Sequence, residues 1–134
     1  MVSMNKCTIH IECKVNPSED KEKVIKAIKN VIGMDGSIIV KDHNYYHLLS
    51  IRLDGIESLK VIREQIHSRQ VMNTFRRIMN GNKDGMSTWL YLNKQAAYAG
   101  VVSVCESEDE SPLGPIKITI ESDDIDSLIE WLTE

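Results

Sequence analysis

The stretch CTIHIECKV at Cys7–Val15 decides the fold, because apolar and polar side chains alternate along it without a break. The cysteine, isoleucine and valine side chains point to one side of the predicted strand, and the polar side chains point to the other. A strand of this kind has one buried face and one face in water, as in an antiparallel sheet covered on a single side. The same alternation returns at Ile116–Ile120 and predicts the last strand.

Apolar residues at helical spacing predict helices between the strands. One stripe runs through Val24–Ile32, and Asn16 or Ser18 is expected to cap the start of this helix. Two further stripes within residues 57–79 fall out of phase near residues 68–70, which predicts two helices or one bent helix.

The second half of the chain is predicted to form three strands and a final helix. Strands are predicted at Ser87–Asn93 and Ala99–Cys105, with the irregular connection Lys94–Ala97 between them. An acidic loop and a Pro-Gly turn then lead into the last strand. The resulting order, β-α-β-β-α-α-β-β-β-α, predicts an α+β two-layer sandwich, in which helices pack on one face of a largely antiparallel sheet. The length of 134 residues fits a single domain over residues 1–134.

Charge is divided unevenly along the chain, although the net charge is only −4. Residues 57–94 carry seven Lys/Arg and three Asp/Glu, whereas residues 95–134 carry one and ten. The middle segment therefore offers local basic surface to a polyanion. No apolar run approaches the roughly 20 residues that cross a bilayer, so no membrane association is expected. Three scattered cysteines favour a reducing compartment, and a cytoplasmic location is expected.

The basic helical segment 57–83 supplies most of the candidate binding residues. Its arginines are able to neutralise phosphates, and the amides between them are able to bind sugars or bases. The polar triplet Asn93-Lys94-Gln95 would add a loop beside it. An ordinary solvated helix face and an amide-rich backbone connection are the structural alternatives. The candidate RNA-binding residues are Arg63, Arg69, Arg76, Arg77, Asn93, Lys94 and Gln95.

Two further observations leave alternatives open. Tyr45, Tyr46 and Tyr91 would stack on bases if a sheet exposed them, but burial of their rings is the safer expectation. Lys117 would extend the basic surface if its strand lies beside the helices.

No catalytic constellation is visible in the sequence. There is no Gly-rich phosphate loop and no nucleophile elbow. The histidines have no i,i+4 partner on a helix, and His43 with His47 would need further ligands to bind zinc. We expect no catalytic residues, no metal and no cofactor, and therefore no enzyme. A deep pocket that converges on Lys94 and a histidine would revive an enzymatic function.

The chain resembles a family of small archaeal proteins of uncharacterised function that are described by inference as RNA-binding. The resemblance rests on Asn16–Asp20, on the helices from Arg63 to Arg77, and above all on Leu92–Ala97 and Ser111–Ile116. It covers about Thr8 to Leu132. It implies a fold similar to the ribosomal protein that cradles the small RNA of the large subunit, a cytoplasmic location and no known catalytic activity.

Two functional hypotheses follow. The first is an RNA-binding or ribosome-associated accessory protein that contacts phosphate through the basic central segment. The second is a non-enzymatic protein-interaction module, a homodimer without a nucleic-acid role, in which the exposed strand Ser37–Lys41 pairs with another chain.

Overall fold

An antiparallel sheet frames the molecule, and the computed structural model describes residues 6–33 and 36–134 of the chain. The strands lie side by side in the order β2-β3-β1-β6-β4-β5. The alternating strand that opens the chain therefore lies at the centre of the sheet. The strands are β1 (Cys7–Val15), β2 (Ile39–His43), β3 (Tyr46–Asp54), β4 (Ser87–Leu92), β5 (Val104–Cys105) and β6 (Ile116–Ser122).

Helices cover one face of this sheet, which confirms the predicted α+β two-layer sandwich and its order of elements. Ile11 of β1 lies opposite Ile51 of β3 and Ile118 of β6, and all three are buried against the helices. Phe75, Met79 and other helical side chains fill the opposing layer of the core. The helices described are α1 (Lys21–Ile32), α2 (Lys60–Ser68), α3 (Met72–Gly81), α4 (Lys94–Tyr98) and α5 (Ile125–Thr133). The single domain expected over residues 1–134 stays a prediction.

Local hydrogen bonds explain where the helices begin and end. Asp20 caps α1 through a hydrogen bond from the Glu22 N–H, 2.9 Å long, so the expected cap at Asn16 or Ser18 is corrected. Gln70 has a φ of 56° and separates α2 from α3, which confirms that the two apolar stripes are two helices. No helix within the described ranges is long and apolar enough to cross a membrane.

The connection after β4 differs in detail from its prediction. Lys94–Tyr98 forms the one-turn helix α4 because the Asn93 side chain accepts a hydrogen bond from the Ala96 N–H, 2.8 Å long. The strand expected over Ala99–Cys105 is therefore reduced to Val104–Cys105. A 3-10 turn at Glu108–Glu110 lies in the acidic loop.

Candidate nucleic-acid interface

The sheet face opposite the helices is open to solvent. Along β1, the inward side chains are buried, whereas the outward ones are half-buried or exposed. The same alternation holds on β4 and β6, and on β3 from Leu48 onward. We call this surface the open face. Its outward residues are Lys14, His10, Glu12 and Thr8 on β1, Tyr46, Leu48, Ser50, Arg52 and Asp54 on β3, Ser87, Trp89 and Tyr91 on β4, and Lys117, Thr119 and Glu121 on β6.

Aromatic rings lie on the open face at β4. The Trp89 and Tyr91 rings meet edge to face, with centroids 4.9 Å apart. Lys117 lies opposite Tyr91 on the neighbouring strand, and its Nζ is 5.1 Å from the centroid of the Trp89 ring. Large rings on a solvent-facing strand surface are the usual platform for unstacked bases.

A second ring and cation pair lies near the β2 edge. The Tyr46 ring stacks on the His43 ring, with centroids 4.9 Å apart. Lys14 of the central strand places its Nζ 4.8 Å from the centroid of Tyr46. The open face therefore combines a ring with an ammonium group at cation–π distance at two places, one on β4 and one near β2.

Asp54 and Glu121 mark one end of the open face, and the lysines lie toward the other end, where Glu12 is opposite Lys117. Asp54 and Glu121 both lie opposite Thr8, in the row where β1 begins. Lys14 lies near the other end of β1, and Lys41 on β2 lies in the same row, opposite Leu48. Arg52 lies between these two ends. Among the described residues, Lys14, Lys41, Arg52 and Lys117 form no ion pair with a carboxylate.

Lys94 lies inside the protein and not on this surface. Its Nζ donates to both carboxylate oxygens of Glu19, at 3.0 and 3.1 Å, and to the carbonyls of Lys14 and Leu113, at 2.8 and 3.0 Å. The side chain is only 4% exposed, and that of Glu19 is 9% exposed. The structure therefore corrects the expectation that Lys94 is presented to a ligand.

The pKa of the Glu19 carboxyl group is lowered by this buried contact. Burial alone would raise the pKa of its carboxyl group, but hydrogen bonds from Asn16 and the Lys94 ammonium outweigh that effect and hold the pKa below its usual value. Through Glu19 and the two carbonyls, the Lys94 side chain on α4 connects β1, the start of α1 and the turn before β6.

The predicted arginines also bind groups of the protein. Arg63 donates to the Trp131 carbonyl at 2.9 Å and to Glu134 at 2.8 Å, and Arg76 donates to the Thr133 carbonyl at 2.6 Å. Both arginines thus satisfy carbonyls at the end of α5, where a helix leaves its last carbonyls without partners. The structure brings these two together at α5 and not at a surface shared with Lys94.

The remaining predicted residues make separate local contacts. Arg69 donates to the Val102 carbonyl, and Arg77 pairs with Glu106 at 2.6 Å. Asn93 caps α4, and Gln95 donates to the Pro112 carbonyl at 2.9 Å. Arg69, Arg77 and Gln95 are exposed. Contact between RNA and any of the seven candidates stays a prediction.

The open face contains residues that the sequence analysis did not select. Trp89, Lys14, Lys41 and Arg52 were not candidates, whereas stacking by Tyr46 and Tyr91 was kept as an alternative. The available signal was the strand alternation itself, because it places Trp89 and Tyr91 on the side away from buried Thr88 and Leu90. Tyr45 is 82% exposed, against the expectation that its ring is buried.

No group of three or more His, Cys, Asp or Glu side chains within the described residues is arranged to hold a metal ion. The fold and the open face together define an α+β protein with aromatic rings on the solvent-facing side of its sheet. Comparison with known proteins gives its family.

A family model described as RNA binding matches residues 8–122. The chain is 37% identical over 125 residues to a UPF0201 protein of Sulfurisphaera tokodaii, covering 93% of this chain and 86% of that protein. It is 39% identical over 125 residues to a UPF0201 protein of Methanothermobacter thermautotrophicus, covering 92% and 89%. The crystal structure of the UPF0201 protein from Methanococcus jannaschii superposes with a TM-score of 0.80 at 28% identity, covering 95% of this chain and 99% of that one. The chain belongs to the UPF0201 family.

Proposed function

We propose that this protein binds single-stranded RNA on the open face of its sheet. The observation that carries the proposal is the placement of two aromatic sites, Trp89 with Tyr91 and Tyr46, on one solvent-facing surface with lysines beside each. The family model described as RNA binding supports the choice of ligand.

Stacking and phosphate contacts would act together on this surface. Stacking of a base on an aromatic side chain contributes about 1–3 kcal/mol to the free energy of binding, whichever base it is. Lys14, Lys41, Arg52 and Lys117 are free of carboxylate partners among the described residues, so they can meet phosphates without first breaking an ion pair. Asp54 and Glu121 lie at one end of the face and the lysines lie toward the other, so we expect the phosphates at the lysine end, beside Glu12.

The basic helical segment is the competing surface for phosphate. Arg63 and Arg76 would have to release the carbonyls at the end of α5, and Arg77 would have to release Glu106. The open face carries no such cost, and we therefore favour it. We further propose that the protein associates with ribosomes, is located in the cytoplasm and has a fold related to that of the ribosomal protein. The proposed role is binding without catalysis.

The test is RNA affinity measured by fluorescence anisotropy on a labelled oligouridylate of about ten nucleotides, a length within the site sizes of sheet-based binders. Trp89→Ala and Tyr46→Ala should each weaken binding about tenfold. The matched control is Tyr98→Ala, because Tyr98 on α4 is 40% exposed and also has a lysine, Lys26, over its ring at 5.2 Å.

Salt dependence tests the charges separately. Each phosphate contact should contribute a slope of about −0.7 to the plot of log affinity against log salt. The double variant Lys14→Gln/Lys117→Gln should lower that slope by more than one, whereas Arg77→Gln should leave it unchanged. Equal loss from Tyr98→Ala and Trp89→Ala, or a slope that falls only with Arg77→Gln, would refute the open face as the site.

A protein-interaction role is the second candidate, and the edge strand β2 favours it. All five residues of β2 are exposed, with Ile39 at 59% and Val40 at 44%. An exposed apolar edge is able to pair with a strand of another chain. Sedimentation equilibrium should then show a homodimer that Val40→Pro dissociates, with an affinity that salt leaves unchanged. A monomer at all concentrations would remove this candidate.

A further inference from the structure

A cleft opens at the end of the open face, below the acidic loop. It has a volume of about 440 Å³ and is lined by Tyr91 and Lys117 of the sheet, Lys14 of the central strand, and Glu108 and Asp109 of the loop. This size falls within the range of small-ligand sites. The cleft continues the surface proposed above to bind RNA, so the inference that follows depends on the proposed function.

The loop that closes the cleft is held in place by hydrogen bonds. The Tyr91 hydroxyl donates to Glu108 Oε1 at 2.9 Å, which fixes the carboxylate beside the aromatic ring. Arg77 holds Glu106 at 2.6 Å, and Gln95 holds the Pro112 carbonyl at 2.9 Å. Glu108 is thus held by Tyr91, and the loop is anchored on either side of it at Glu106 and Pro112, before any ligand arrives.

Acceptors and donors in the cleft remain available. Within the described residues, Glu108 Oε2 and the Asp109 carboxylate have no hydrogen-bond partner. The ammonium groups of Lys14 and Lys117 lie over aromatic rings and form no hydrogen bond or ion pair with another described residue. A ligand that fits must therefore offer hydrogen-bond donors to a carboxylate and acceptors to an ammonium group, next to a flat face for Tyr91.

We propose that this cleft binds a guanine base of the RNA. Guanine presents two adjacent N–H donors on its Watson–Crick edge, which match a carboxylate, and the O6 and N7 acceptors, which match a lysine. Uracil and adenine offer the carboxylate fewer adjacent donors, and cytosine offers its amino group beside an acceptor. The acidic loop would then select a base and not simply repel phosphate.

The experiment compares oligouridylates of about ten nucleotides that carry a single G, A, C or U at the centre. The wild-type protein should bind the G oligonucleotide about tenfold more tightly than the other three. Glu108→Gln/Asp109→Asn should abolish this preference, because an amide has one acceptor oxygen where a carboxylate has two, and its NH2 group cannot accept from the second guanine N–H. The control Glu64→Gln/Glu130→Gln also removes two negative charges, but from exposed helix positions, and this variant should keep the preference for the G oligonucleotide.

Each result has a defined meaning. Equal affinity for the four oligonucleotides, with Trp89→Ala still weakening all of them, overturns the guanine assignment and leaves the RNA-binding function intact. Loss of the preference in the control pair also overturns the assignment. Guanosine monophosphate that binds as tightly as the G oligonucleotide overturns RNA as the source of the base. Absence of binding to any oligonucleotide removes both proposals.

Discussion

Replacement of Lys94 by methionine tests the buried ion pair that joins four parts of the fold. The methionine side chain keeps most of the aliphatic volume but removes the ammonium group. Glu19 would then stay inside, with its side chain 9% exposed, while the Lys14 carbonyl loses its 2.8 Å donor. Because removal of one partner leaves an uncompensated buried charge, the free energy of unfolding should fall by about 3–5 kcal/mol.

The pH dependence of this loss identifies its cause. In the wild type, the pKa of Glu19 is lowered, so its stabilising effect is fully present at neutral pH and is lost as pH falls through the lowered pKa. In Lys94→Met, that pKa should rise, because the ammonium that favoured the charged form is gone. The stability gap between the two proteins should therefore be widest at neutral pH and should narrow in acid.

Urea denaturation followed by circular dichroism measures both effects. Lys23→Met is a suitable control, because Lys23 is exposed on α1 and its loss should change stability by less than about 0.5 kcal/mol. The double variant Lys94→Met/Glu19→Gln should recover part of the loss, since no buried charge remains. A loss below about 1 kcal/mol for Lys94→Met, or a gap that does not change with pH, would refute the reasoning.

Three further predictions concern single buried or capping groups. Asn93→Ala should lower the free energy of unfolding by about 1 kcal/mol in urea titrations, because α4 loses its N-cap; no change would show that the cap is dispensable. Thr88→Val should cost about 1–3 kcal/mol, because it leaves the Met79 carbonyl without its 2.5 Å donor, whereas Thr88→Ser should cost less. Burial raises the pKa of Cys7 to about 11 and that of Cys13 to about 12, so both thiols should resist a disulfide reagent in the folded protein at mildly alkaline pH and react in urea. Fast reaction of the folded protein would contradict the burial of these side chains.

Local patterns were sufficient to predict the sheet and its covered side. The alternation at Cys7–Val15 depends only on neighbouring residues, and the structure pairs this strand on both sides in the register that the alternation needs. The connection after β4 was harder, because a one-turn helix gives no periodic signal. Only the cap at Asn93, followed by small residues, marked it.

The candidate site could be predicted only in part, because its residues are selected by distant partners. Arg76 binds Thr133, 57 positions along the chain, and Lys94 reaches Lys14, 80 positions away. No property of the helical segment shows that these cations are already engaged. The open face could in principle be predicted, since strand alternation sets the direction of Trp89. Whether an outward ring is available to a ligand, however, depends on whether a second layer covers it.

The ion pairs across the fold have a kinetic consequence. Arg63 with Glu134, Arg77 with Glu106 and Lys83 with Asp126 join the cation-rich and anion-rich parts of the chain at 2.8, 2.6 and 2.5 Å. These pairs offset part of the charge separation in the sequence, and at long range the molecule of net charge −4 weakly repels any polyanion. A nucleic acid would approach against this weak repulsion. Added salt screens the repulsion, so it should speed the first encounter even while it loosens the bound state.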